Sequence, residues 1–205
     1  MSADLNFTSL ICSRLCHDLV GPVGAISNGI ELMEMEDEPE MMKDALDLLK
    51  HSAANASRRL KFLRFAFGSS GGDELPLPVR DARQAALDFF TDHRLELVWP
   101  DAGNAEPAKG RIRLALNLTM AGAAGLVRGG ELTVSVDNDS LAVTGVHDRA
   151  ALPDAVVEAL EGRREAAGGE DARIIESFLA RKLADVEGLV LTIEQSPGRF
   201  TIAAR

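Results

Sequence analysis

Between Leu15 and Met33 the apolar residues Leu15, Leu19, Val23, Ile26, Ile30 and Met33 fall on one stripe at helical spacing. The stripe keeps its phase across Gly21-Pro22. The pattern therefore predicts one long helix, bent where Pro22 removes an internal hydrogen bond; two short helices joined by a Gly21-Pro22 turn are the alternative. Asp37-Glu38-Pro39-Glu40 reads as a turn and a new helix start, with proline in the first turn and acids at the positive end of the helix dipole. From there Met42, Leu46, Leu49, Ala53, Ala56, Leu60, Leu63 and Phe67 alternate steps of four and three, a heptad seam that predicts helix-on-helix packing. Two helices of about 30 residues, each about 45 Å long, cannot bury both seams as an isolated hairpin. Dimerisation into a four-helix bundle solves this, with Leu46, Leu49, Ala53 and Leu60 in the dimer core.

Gly68-Ser69-Ser70-Gly71-Gly72-Asp73 ends the second helix and reads as a linker, with Pro76 and Pro78 just beyond. It divides the chain into a helical hairpin, 1–70, and a second domain, 71–205. The second domain is expected to run as a helix at 79–93, a strand at 95–99, a helix at 111–127, strands at 131–137 and 140–147, a short helix at 153–161, a helix at 171–186, and a hairpin at 189–195 and 199–204. Ser196-Pro197-Gly198 supplies the last turn. Helices alternating with antiparallel strand pairs make the class α+β, with the second domain a two-layer sandwich. At 205 residues each domain is expected to hold a modest core of its own.

A formal net charge of -10 and a pI near 4.9 argue against nucleic acid or an anionic membrane surface as partner. With no run of 18 apolar residues and no basic-then-apolar leader, the expected location is the cytoplasm. Arg58-Arg59 and Arg64 lie in the final turns of the second helix and read as a solvated face matched to its dipole. Cys12 and Cys16, four apart near the apolar stripe, are expected to be buried reduced thiols rather than a disulfide or a metal pair. Nothing in the sequence suggests a metal site or a bound cofactor.

Chemistry concentrates at His17, which points almost directly away from the apolar stripe and has Asp18 beside it. An exposed imidazole next to a carboxylate suits a nucleophile that meets a large partner; a plain solvated histidine is the alternative. The same face continues through Gly21, Gly24 and Asn28, so the surface beside the imidazole lacks bulk. Glycine inside a helix costs roughly 0.5–1 kcal/mol against alanine, so two of them call for close approach by another molecule. Arg14, one turn back, could offset phosphoryl charge or be an ordinary surface arginine. His51, His93 and His147 have no comparable context.

His17-Asp18-Leu19-Val20-Gly21-Pro22 followed by Ala25-Ile26 resembles the H-box of sensor histidine kinases, where a histidine-acid pair precedes a proline five residues on. The order of elements after residue 79 is similar to the ATP-binding domain of those kinases, and Arg173 to Ala204 looks like that domain's last helix and hairpin. Its working motifs are missing. Ala121 stands at the magnesium-binding asparagine, with Asn117 matching only an earlier one, and Gly145 stands at the adenine-reading aspartate. Asp148 is out of register for that role, and only Gly168-Gly169, before Glu170 and Asp171, remains of the phosphate lid. Two carboxylates at a would-be phosphate cradle repel the ligand.

An intact histidine on a kinase-like dimer with a degenerate nucleotide domain resembles the ChpT-type histidine phosphotransferases of the alphaproteobacterial phosphorelay. The resemblance implies a cytoplasmic homodimer that takes a phosphoryl group on His17, with Asp18 assisting, from the receiver domain of a hybrid histidine kinase and passes it to response regulators, CtrA-like ones among them. It implies receiver docking over Arg14, Gly21, Gly24 and Asn28, no ATP, and Mg2+ brought by the receiver. Gly21 departs from the hydroxyl residue common in kinases, which puts phosphatase activity in doubt. A non-catalytic adaptor that blocks a receiver or kinase, and a kinase with a nucleotide site shifted to Asp148, are the competing readings.

Overall fold

The computed structural model describes residues 3–35, 38–68, 77–101, 103 and 106–205. The linker from Ser69 to Asp73, the boundary between residues 70 and 71, Pro76 and Asp37 lie outside the described residues. Helix α1, Ala3–Met35, runs unbroken through Pro22, so the stripe belongs to a single helix. Helix α2, Pro39–Phe67, begins with Pro39 in its first turn and is closed by the Gly68 amide donating to the Arg64 carbonyl at 3.0 Å. The two pack closely at Gly29: a Cβ there would lie 2.8 Å from Leu49 Cγ, and Ala45 and Ser52 are buried on α2. Two of the six stripe residues on α1 and four of the eight seam residues on α2 stay exposed. Val23 is 52% and Ile30 48% exposed on α1, and Leu46 is 41% and Leu60 54% exposed on α2.

The rest of the chain follows the expected order: α3 Val79–Phe90, β1 Leu95–Val98, α4 Lys109–Ala123, β2 Gly130–Val136, β3 Leu141–Val146, α5 Asp154–Leu160, α6 Ile175–Glu187, β4 Leu191–Ser196 and β5 Arg199–Ala204. The five strands form one sheet in the order β1-β2-β3-β5-β4, with β1 parallel to β2 and the other pairs antiparallel. Alternation sends Leu132, Val134, Leu141, Val143, Phe200 and Ile202 to the helix-covered face. Thr144 and Thr201 pair across strands on the other face, their hydroxyls 3.1 Å apart. The fold is the expected α+β: a helical hairpin and a sheet layered with helices. Gly188, at φ +68, ends α6 in the left-handed conformation that favours glycine.

In its fold the structure departs from the sequence reading in four places. First, the hairpin and the second domain do not keep separate cores. Leu10 of α1 and Phe62, Leu63, Ala66 and Phe67 of α2 join the sheet and its helices in one buried cluster. The rings of Phe62 and Phe89 stack at 4.3 Å, and Asn117 Nδ2 on α4 donates to the Ala66 carbonyl at 2.9 Å, so the end of α2 is built into the second domain. Second, Arg58 pairs with Asp92 at 2.6 Å and Arg59 lies 5.6 Å over the Phe89 ring, so these arginines reinforce that junction instead of facing water. Third, Cys12 and Cys16 are free and exposed. The hairpin and the second domain cover the flank of α1 that carries Ile11, Leu15 and Asp18, and the cysteine flank stays open. Fourth, residues 169–174 form a 3₁₀ turn before α6, and 124–126 another after α4.

Candidate functional site

His17 stands in the middle of α1 with 75% of its side chain exposed, and its Nδ1 lies 3.2 Å from Asp18 Oδ1. A carboxylate only accepts hydrogen bonds, so this contact favours the tautomer with the proton on Nδ1 and leaves the Nε2 lone pair free. Asp18 is itself largely buried. Its second oxygen, Oδ2, accepts from Arg14 Nε at 2.9 Å. Arg14 Nη1 in turn donates to Glu176 Oε2 at 3.1 Å and to the Arg173 carbonyl at 2.7 Å, so α1 is fastened to the start of α6 directly beneath the histidine.

Burial works against the charge of Arg14, but Glu176 and Asp18 outweigh it and hold the guanidinium above its ordinary value. Burial pushes the Glu176 carboxyl up to about 7, against the pull of Arg14. Arg14 was expected on the docking surface. The structure turns it inward, where Asp18 takes its Nε proton and Glu176 and a backbone carbonyl take those of Nη1.

The other strip residues lie where the sequence places them. Gly21, Gly24 and Asn28 are exposed, and a Cβ on Gly21 or Gly24 would meet nothing within 4 Å. Beside His17 a cleft of about 350 Å³ is lined by Ser13, Arg14, Asp18, Gly169, Ala172 and Arg173 as well as the imidazole. The second domain thus supplies one wall of the site, which sequence reading missed because the two segments are separated by more than 150 residues. One signal was available: Glu176 is an acid between Ile175 and Ser177-Phe178 on the inward face of a helix, and a buried acid calls for a partner.

At the positions compared with the kinase domain, Asn117 and Ala121 are fully buried. Gly145 pairs with Phe200 across β3 and β5, and a side chain on Gly145 would run into the Phe200 ring. A Cβ on Gly125 would lie 2.6 Å from the same ring. The two acids before α6 are not alike. Glu170 is exposed, but Asp171 turns inward, accepts the Ala167 and Gly168 amides at 3.0 and 2.9 Å, and receives Arg164 at 2.7 Å. Burial alone would raise the Asp171 carboxyl; the Gly168 amide, Arg164 and the Ala167 amide outweigh it and hold it below its ordinary value. Asp171 therefore caps its own turn and does not face a phosphate cradle. Asp148 and His51 are exposed, His93 packs on Phe89 and Phe90, and His147 Nδ1 accepts the Arg149 amide at 3.1 Å. Among the described residues no three His, Cys, Asp or Glu side chains gather to hold a metal ion, and no helix is long and apolar enough to cross a membrane.

The family model of the histidine phosphotransferase C-terminal domain matches residues 79–199. The chain is 36% identical over 206 residues to protein phosphotransferase ChpT of Brucella abortus (strain 2308), covering 98% of this chain and 95% of the relative. The chain belongs to the histidine phosphotransferase family. The solved structure of a bacterial phosphotransferase superposes on this histidine phosphotransferase with a TM-score of 0.81 at 30% identity, covering 98% of this chain and 96% of that one. The whole histidine phosphotransferase is therefore matched, hairpin and sheet together, and its function is phosphotransfer within a phosphorelay. Nothing in these likenesses favours the adaptor reading.

Proposed function

We propose that this cytoplasmic phosphotransferase carries the phosphoryl group on Nε2 of His17, between the aspartates of two receiver domains, one from a hybrid histidine kinase and the other from a response regulator of the CtrA-like kind. The observation that carries the reading is the exposed imidazole with Nδ1 held by Asp18 and a floor without side chains at Gly21 and Gly24. In the first step the Nε2 lone pair attacks phosphorus in line. The N–P bond forms, the P–O bond of the acyl phosphate breaks, and the electron pair leaves on the donor's carboxylate. The imidazole becomes cationic, with its Nδ1 proton shared with Asp18, whose negative charge balances it. In the second step the acceptor's carboxylate attacks phosphorus, the N–P bond breaks, and the lone pair returns to Nε2. Mg2+ arrives with the receiver, and Gly21, Gly24 and Asn28 form the floor on which it sits.

The reading excludes ATP as donor. Phe200 fills the space beside Gly145, and Ala121 is sealed in the core. Incubation with a receiver carrying labelled acyl phosphate is expected to place acid-labile label on the chain, and incubation with γ-labelled ATP and Mg2+ is expected to place none. Label from ATP, or no label from a range of phosphorylated receivers, would overturn it.

The working form is a homodimer, joined through the open flanks that carry Val23 and Ile30 on α1 and Leu46, Ala53 and Leu60 on α2, whereas Leu49, expected in the dimer core, packs against Gly29 within the hairpin. Light scattering is expected to give twice the 21.9 kDa chain mass. Leu60→Lys would bury an unpaired charge in the seam, an expense of several kcal/mol, and is expected to yield monomer or unfolded chain. A wild-type monomer at micromolar concentration contradicts the bundle.

A further inference from the structure

We propose that Glu176, in the second domain, is a positioning residue for phosphotransfer at His17, acting across the domain boundary through Arg14 and Asp18. The proposal rests on the reading of His17 as the phosphoryl carrier. Four side chains form one chain of contacts: Glu176 Oε2 to Arg14 Nη1 at 3.1 Å, Arg14 Nε to Asp18 Oδ2 at 2.9 Å, and Asp18 Oδ1 to His17 Nδ1 at 3.2 Å. Glu176 is 2% exposed, and its neighbours Ile175 and Ser177 are fully buried. A buried carboxylate opposite a guanidinium adds little stability over an apolar pair of similar volume, so its energetic contribution does not account for it. Geometry does.

With Nη1 of Arg14 fixed by Glu176 and the Arg173 carbonyl, its Nε is aimed at Oδ2 of Asp18. That fixes the rotation of the Asp18 carboxylate, and only then is Oδ1 turned to the imidazole. The tautomer that leaves Nε2 free is thus set by a residue 159 positions away on another element. The charged and titratable groups around the carboxylate, Arg14 and Asp18 of α1, Arg59 of α2, His93 after α3 and Arg173 before α6, line one cleft of about 210 Å³ with it. Arg14 alone among them is hydrogen-bonded to both Glu176 and Asp18.

The test compares full-length wild type, Glu176→Gln, Asp18→Asn and the double variant in single-turnover transfer from a phosphorylated receiver, with 15N NMR of His17 to read the tautomer. Glu176→Gln is expected to slow the transfer step by about tenfold or more with receiver affinity unchanged, and to shift His17 from the Nδ1-protonated form towards a mixture. The double variant is expected to be no slower than Asp18→Asn alone, because both act on one contact. A wild-type rate or an unchanged tautomer in Glu176→Gln, or additive losses in the double variant, would overturn the proposal. Should Glu176→Gln unfold, Arg14→Lys, which keeps the charge but loses the fork, must show the same tautomer change, and an unchanged tautomer there overturns the proposal equally. Uptake by His17→Ala would instead overturn the carrier reading, and this proposal with it.

Discussion

Replacing His17 by alanine is expected to abolish phosphoryl uptake while leaving the fold intact. The imidazole is 75% exposed and its hydrogen-bonded side-chain partner is Asp18, so its removal opens no cavity and exposes a carboxylate oxygen to water. The stability change should lie within about 0.5 kcal/mol, as for surface substitutions in general. Circular dichroism, melting temperature and mass by light scattering should match the wild type, and label from a phosphorylated receiver should vanish. Retained uptake in a folded variant would place the nucleophile elsewhere, with exposed His51 the next to substitute.

The second large effect separates two glycines five residues apart on one helix. Gly24→Leu puts a side chain where a Cβ meets nothing within 4 Å, so the chain should melt no earlier than wild type. Leucine's better helix propensity contributes roughly 0.5–1 kcal/mol, equivalent to about 1–4 °C at this size. Phosphotransfer should nonetheless fall about 100-fold, because a receiver held off its floor loses in-line geometry. Gly29→Leu should do the reverse. Its Cβ would lie 2.8 Å from Leu49 Cγ, so the hairpin must spread at a cost of about 1–3 kcal/mol, and the melt should fall by several degrees before any effect on docking. Normal transfer by Gly24→Leu would remove the strip from the docking surface.

Much of this was legible in the residue pattern because it is local. The stripe from Leu15 to Met33, the seam from Met42 to Phe67 and the strand alternation each repeat within one element, and every expected helix and strand is present. His17, Gly21 and Gly24 could be placed together because helical periodicity alone puts them on one face. What was illegible joins distant segments. The Arg14–Glu176 contact, the seat of Ala66 against Asn117 and the wall at Ala172 and Arg173 depend on how α2 enters the sheet domain, which no period encodes. Gly29 was overlooked because a glycine that admits a neighbouring helix looks, in sequence, like one that admits a partner. Cys12 and Cys16 misled for the opposite reason: proximity to an apolar stripe does not say which flank of it a two-helix hairpin covers.

The seating of Phe200 against Gly145 makes the second domain a ratchet in mutational terms. An acid placed at position 145 meets the aromatic ring at once, and trimming the ring first leaves a void at the centre of the sheet that costs about 3–5 kcal/mol. Either single step passes through a damaged protein. A side chain at position 145 is thus barred by packing, and the sheet stays a fixed backing for the helix whose Glu176 reaches Arg14.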